Sequence, residues 1–289
     1  MTSPIARRAV FGLLAASALS ACVLRPRLTD TFGFRPKAMR DGRSTPGEWG
    51  WDAARLDTIV RPDSAGGFLA WFGAASAASP ECGGALLLHG KGRNRAEMMP
   101  LGRALQERGF AVLIPDYRGY GGSDGTPTTD GVYADASLAF RTLRSQLSDS
   151  TQPMVVVGHS MGTALAARVT RDYRPAATVY MAPFTRISAV VRSRLGALGP
   201  RLFDTTAFAF NPLEDAAAAG GRAMVVVAGR DRIIPRNESE AFVAGIGASA
   251  VVRDPTASHN SVLESRVVIS AVADSMRSWA GCSVRSRGN

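Results

Sequence analysis

The chain has 289 residues, 46% of them hydrophobic, enough for one large domain or two small ones. Its net charge of +10 is nearly all arginine, with Lys37 and Lys91 the only lysines. No long basic run carries interleaved aromatics, which argues against nucleic-acid binding and for arginines spread over a solvated surface.

The N-terminus predicts a targeting segment. Arg7 and Arg8 precede an apolar run from Ala9 to Ala18, too short for a permanent membrane span. The run ends in Leu19-Ser20-Ala21-Cys22, which resembles the lipobox of bacterial lipoproteins. That resemblance implies that residues 1–21 are removed and that Cys22 carries a diacylglycerol. Val23 follows in place of an aspartate, which implies the outer membrane, with the protein facing the periplasm. An ordinary cleaved signal peptide is the alternative. Residues 22–50, rich in Arg, Pro, Gly and Thr, predict the anchor and a flexible tether.

From Leu56 the pattern becomes periodic. Leu56 to Val60 and Gly67 to Phe72 predict two strands joined by a turn over Pro62 to Gly66. A buried strand over Ala85 to Leu88 follows, then a helix from Ala96 to Arg108 stopped by Gly109. Ala111 to Ile114 predicts a strand, and Val132 to Leu147 a helix with Val132, Ala136, Ala139, Phe140 and Leu143 on one face. Met154 to Val157 is an apolar strand, followed by a helix starting near Thr163. Strands over Ala177 to Met181, Ala223 to Ala228 and Ala250 to Arg253 come next, and a last helix over Ser261 to Trp279. Strands alternating with helices predict one α/β domain over 51–282 with a mostly parallel sheet.

The chemistry centres on Gly158-His159-Ser160-Met161-Gly162, between an apolar strand and a helix. Such a turn holds a serine in strained backbone at the head of a helix, its oxygen exposed. A serine hydroxyl is a weak nucleophile and needs a base, which needs an orienting acid. There are three histidines. His159 adjoins the serine and should point away; His89, before a glycine, shapes a loop. His259, in the loop after the last strand, is the base. Asp231 follows the strand over Ala223 to Ala228 and is the acid, with Asp254 the rival and an ion pair to Arg230 or Arg232 its alternative fate. Negative charge on the former carbonyl oxygen calls for two backbone N–H groups, from Met161 and from Lys91 in the glycine-flanked loop His89 to Arg95. Acyl transfer of this kind calls for neither a cofactor nor a metal.

Together, Leu88-His89-Gly90, the run Asp116-Tyr117-Arg118-Gly119-Tyr120-Gly121-Gly122-Ser123, the Ser160 turn, Gly229-Arg230-Asp231 and Ser258-His259 resemble the α/β-hydrolase superfamily. The similarity is to its compact branch of esterases, lipases, thioesterases and serine-aminopeptidase-like proteins. It implies an α/β-hydrolase fold with an eight-stranded sheet and carries Ser160, Asp231 and His259 over as the triad, Lys91 and Met161 as oxyanion donors. It also implies that Asp116 and Arg118 tie loops under the site. The lysine at 91 departs from an apolar or aromatic residue often found there. The insertion 183–213 falls where the superfamily has its cap. Phe184, Leu195, Leu198, Leu202, Phe203, Phe208 and Phe210 within it suit a small-molecule or lipid-like ester, or simply pack the cap down. It has no acidic cluster to receive a substrate amine, which disfavours aminopeptidase activity.

A serine hydrolase of carboxylic esters, working through an acyl-enzyme, is the expected function. Acyl transfer or peptide cleavage on the same triad, or a non-catalytic binding protein, are the alternatives. With Cys22 taken by lipid, Cys82 and Cys282 remain. In this fold the first precedes a central strand and the second ends a helix returning to the same edge, so a disulfide is expected; two separate thiols are the alternative.

Overall fold

The computed structural model describes residues 33–39, 45–62, 66–76, 81–199 and 208–282. The predicted signal peptide, Cys22, and Leu202 and Phe203 of the cap lie outside the described residues.

Eight strands form one sheet: β1 Ala54–Val60, β2 Gly67–Gly73, β3 Gly83–Leu88, β4 Phe110–Pro115, β5 Met154–His159, β6 Ala177–Met181, β7 Ala223–Ala228 and β8 Ala250–Asp254. Their order is β1-β2-β4-β3-β5-β6-β7-β8. β1 and β2 pair antiparallel, as do β2 and β4. Every later pair is parallel. The central strands are apolar on both faces because helices cover both. Alternation divides them: Leu86, Leu88 and Val156 pack on one side, Ala85, Leu87, Val155 and Val157 on the other.

The described α-helices are α1 Met99–Glu107, α2 Thr129–Ser145, α3 Met161–Tyr173, α4 Ile187–Leu195, α5 Pro212–Ala219, α6 Arg236–Ile246 and α7 Arg266–Trp279. Among the described residues no helix is long and apolar enough to cross a membrane. The helix predicted from Ala96 instead opens as a 3-10 turn, Arg95–Met98, and becomes α1 at Met99. Asn94 caps the turn, and Pro100 occupies the first turn of α1, where a missing N–H costs nothing. The last helix divides likewise: a 3-10 turn over Ser261–Leu263 precedes α7, whose start is capped by Ser265.

Part of the predicted tether is not a tether. Residues 33–39 lie on the domain, held at three points. The Phe34 ring meets Phe208 and Phe210, with centroids 5.3 and 6.0 Å apart. Gly121 N–H donates to the Lys37 carbonyl, and Asn94 donates to that of Ala38. An aromatic side chain with an apolar partner overrides a linker-like composition.

Cys82 and Cys282 are joined in a disulfide, their Cα atoms 5.5 Å apart. Cys82 directly precedes β3, and α7 runs back across the sheet to bring Cys282 to that edge. The bond closes a loop of 200 residues and, by chain entropy, constrains the unfolded state by up to about 5 kcal/mol.

Candidate active site

Ser160 is placed by a crossing of backbones. Its φ of 53° and ψ of −119° lie where L-residues are strained, and its N–H donates to the Met181 carbonyl at the end of the neighbouring strand. A side chain at position 158 would collide with the Gly162 carbonyl, and one at 162 with that of Leu88. Glycine at both positions lets the turn close this tightly. Helix α3 begins at Met161 rather than near Thr163, so the serine stands directly before the helix. Met161 N–H, at the first helical position, has no partner within α3.

Three loops at the C-terminal ends of the strands bring the other side chains in. His259 Nε2 lies 2.9 Å from Ser160 Oγ, and Nδ1 lies 2.7 Å from Asp231 Oδ2. With Nδ1 donating to the carboxylate, Nε2 is left to accept the serine proton. The other carboxylate oxygen, Asp231 Oδ1, accepts the N–H groups of Ile233 and Ile234 at 2.7 and 2.8 Å. Asp231 therefore faces His259 and its own loop, not Arg230 or Arg232. The loops carrying Asp231 and His259 are tied to each other, since Arg230 N–H donates to the Ala257 carbonyl and Gly229 N–H to that of Asp254. Asp254, the rival acid, turns to Thr256, Ala257 and Ser265. Those bonds, led by the Thr256 hydroxyl, hold its carboxyl down at about 2.

Burial pushes the His259 imidazole below its ordinary value, outweighing the pull of Asp231 in the opposite direction. The ring is thus neutral, and able to take a proton, throughout the neutral range. Hydrolysis by this site should be level through neutrality and fall with a midpoint below about 6.5, the ordinary imidazole value. The profile of kcat/KM against pH checks this; a midpoint above that value would contradict it. The same shift costs stability in acid, because the unfolded chain binds this proton first and stability falls as pH drops below about 6.5.

His159 points away from the serine, as expected, but it is not idle. Its Nε2 donates to the His259 carbonyl at 2.9 Å and its Nδ1 faces Glu97 Oε1 at 3.4 Å. The same Glu97 oxygen accepts the Gly90 N–H at 2.6 Å. Burial pushes the Glu97 carboxyl up, but the His159 hydrogen bond and charge, His89 and the Gly90 N–H together hold it below the ordinary value. Sequence reasoning missed Glu97; its only signal was an acid in a helix facing the glycine loop.

The loop above the serine is held from beneath. Tyr117 donates its hydroxyl to the His89 carbonyl at 3.0 Å. Asp116 accepts the Arg95 N–H at 2.7 Å, pairs with the Arg95 guanidinium and lies 3.2 Å from His89 Nε2. Arg118 pairs with Asp135, not Asp116. Both residues tie loops, through separate partners.

A cavity of roughly 200 Å3 opens at Ser160. Lys91 and Met161 line it, as do Phe34, Phe184, Phe208 and Phe210. Of the apolar cap residues, Leu195 and Leu198 are instead exposed, at 41% and 62%. Among the described residues no group of three or more His, Cys, Asp or Glu is arranged to hold a metal ion.

A family model described as serine aminopeptidase, S33, matches residues 80–210. An uncharacterized protein of Mycobacterium tuberculosis is 32% identical over 192 residues, covering 65% of this chain and 67% of that one. Lysophosphatidylserine lipase ABHD12 of Gallus gallus is 33% identical over 115 residues, 37% of this chain and only 30% of its own length. Among solved structures, an esterase of Pyrococcus furiosus superposes with a TM-score of 0.68 at 18% identity, covering 86% of this chain and 100% of that one. An alpha-beta hydrolase of Vibrio vulnificus gives 0.67 at 18%, covering 89% and 93%.

Proposed function

We propose that this chain, which has the α/β-hydrolase fold and matches a serine aminopeptidase (S33) family model over residues 80–210, is a serine hydrolase that cleaves carboxylic esters through an acyl-enzyme. The observation that carries the proposal is the Ser160–His259–Asp231 relay, with contacts of 2.9 and 2.7 Å. Ser160 Oγ attacks the ester carbonyl while His259 Nε2 takes its proton. The imidazolium so formed is stabilised by Asp231 and returns the proton to the leaving alcohol. Water, activated by the same His259, then releases the acid. The backbone N–H groups of Met161 and Lys91 receive the negative charge of each tetrahedral intermediate, aided by the positive end of α3.

Esters are favoured over aminoacyl peptides by the cavity. An aminopeptidase must hold a substrate ammonium, and no acid is among the described residues lining this cavity, while Arg35, Lys91 and Arg194 are. Aromatic walls suit an acyl chain. The esterase and lysophosphatidylserine lipase names of the similar proteins agree with this choice. Purified protein should hydrolyse 4-nitrophenyl esters and release far less product from aminoacyl 4-nitroanilides. A fluorophosphonate should label Ser160. Label without ester turnover, or amide turnover exceeding ester turnover, would contradict the proposal.

A further inference from the structure

The mouth of the cavity is charged in a way that hydrolysis does not require. Arg35 comes from the segment before the sheet, Lys91 from the loop after β3 and Arg194 from cap helix α4. Three elements far apart in sequence thus bring three cations to one apolar cavity. Arg35 and Arg194 are exposed and stand at its entrance. Arg194 also donates to the Arg232 carbonyl, which fixes its guanidinium at the rim. Lys91 is one residue from Gly90, whose Cβ position lies 3.3 Å from Ser160 Cβ, so the cluster begins beside the nucleophile.

Like charges gathered at a partly dry rim repel one another. Their effect registers on Lys91, whose ammonium is brought down to about 8 by burial and by the charges of Arg35 and Arg194. An anion seated among them would relieve that repulsion and make charge-assisted hydrogen bonds to planar guanidinium groups.

We infer that the ester taken by this site carries an anionic group, phosphate or carboxylate, near its scissile bond, held at the cavity mouth by Arg35, Lys91 and Arg194 while the acyl chain lies among the phenylalanines. The inference takes its scissile bond from the ester-hydrolase proposal, but its anion from the cations alone.

The test compares 1-dodecanoylglycerol with 1-dodecanoylglycerol 3-phosphate, which share one acyl chain and one ester. With full-length protein, kcat/KM should favour the phosphate by about tenfold or more at low salt, the scale of one charged hydrogen bond. Added salt should narrow the ratio. In R35Q/R194Q the ratio should fall toward one. Because both esters are measured on the same sample, partial misfolding lowers both rates and leaves the ratio. A ratio near one in the wild type, or one that survives R35Q/R194Q, would overturn the inference.

A second measurement needs no turnover. Decyl phosphate should raise the melting temperature of the wild-type protein more than decanol does, and R35Q/R194Q should lose that difference. If neither ester is cleaved but this difference appears and is lost in the variant, the ester proposal falls and the anion site stands. Equal shifts from both ligands would overturn the anion site.

Discussion

Replacing Ser160 by alanine should lower kcat for ester hydrolysis by about a hundred-thousandfold to a millionfold while leaving the melting temperature near that of the wild type. The hydroxyl is removed, but its strained backbone is held by Gly158, Gly162 and the bond to Met181. His259→Ala should cost a similar factor, and the double variant should be scarcely worse than either, because a nucleophile without a base and a base without a nucleophile are equally idle. Asp231→Asn should cost about ten-thousandfold, since an amide no longer favours the Nδ1–H tautomer. Steady-state rates on a single soluble ester settle each case. Retention of most activity by Ser160→Ala would remove the nucleophile assignment. Damage from Asp254→Asn comparable with Asp231→Asn would mean that the acid had been misplaced.

The largest loss of stability should come from Asp116→Ala. Asp116 is fully buried and serves the Arg95 guanidinium, the Arg95 N–H and the His89 ring together. Removing it strands a buried guanidinium with one fewer anionic partner, a change that costs about 3–5 kcal/mol. For a domain of this size the melting temperature should fall by roughly 6–20 °C. Arg95→Met in the same background should return part of the loss, because the charge left unpaired is then absent too. A fall of less than about 2 °C on thermal denaturation would show that the pair is not structurally needed. Activity should also drop, because the loop carrying His89 and Lys91 stands on this cluster.

The sheet was legible because its central strands are apolar on both faces and short: β6 and β7 fall where their apolar runs fall, residue for residue. Helix α6 escaped notice. Its stretch, Arg236–Ile246, opens with five polar residues and buries only Glu238, Ser239 and Phe242. A helix stabilised mainly by docking leaves a weak periodic trace. Among the site residues, Ser160, His259 and Asp231 announce themselves because each stands next to a strand end or tight turn. Glu97 does not, because its meaning lies in His159 and Gly90, which reach it only across the fold. Phe34 was hidden for the same reason. One aromatic in a stretch of Arg, Pro and Gly reads as linker until the distant pair Phe208 and Phe210 is set against it.

That packing has a mechanical consequence. Phe34 and Arg35 form part of the cavity wall, yet they precede every strand of the sheet. A pull applied to the chain upstream reaches them first, and is resisted there, among the described residues, by ring contacts at Phe34 and hydrogen bonds at Lys37 and Ala38. Ser160, His259 and Asp231 sit on turns that follow β5, β8 and β7 of the hydrogen-bonded sheet. Tension would therefore peel away the wall of the cavity before it disturbed the reacting groups, so that force on the N-terminal segment changes which molecules are admitted and leaves intact the machinery that acts on them.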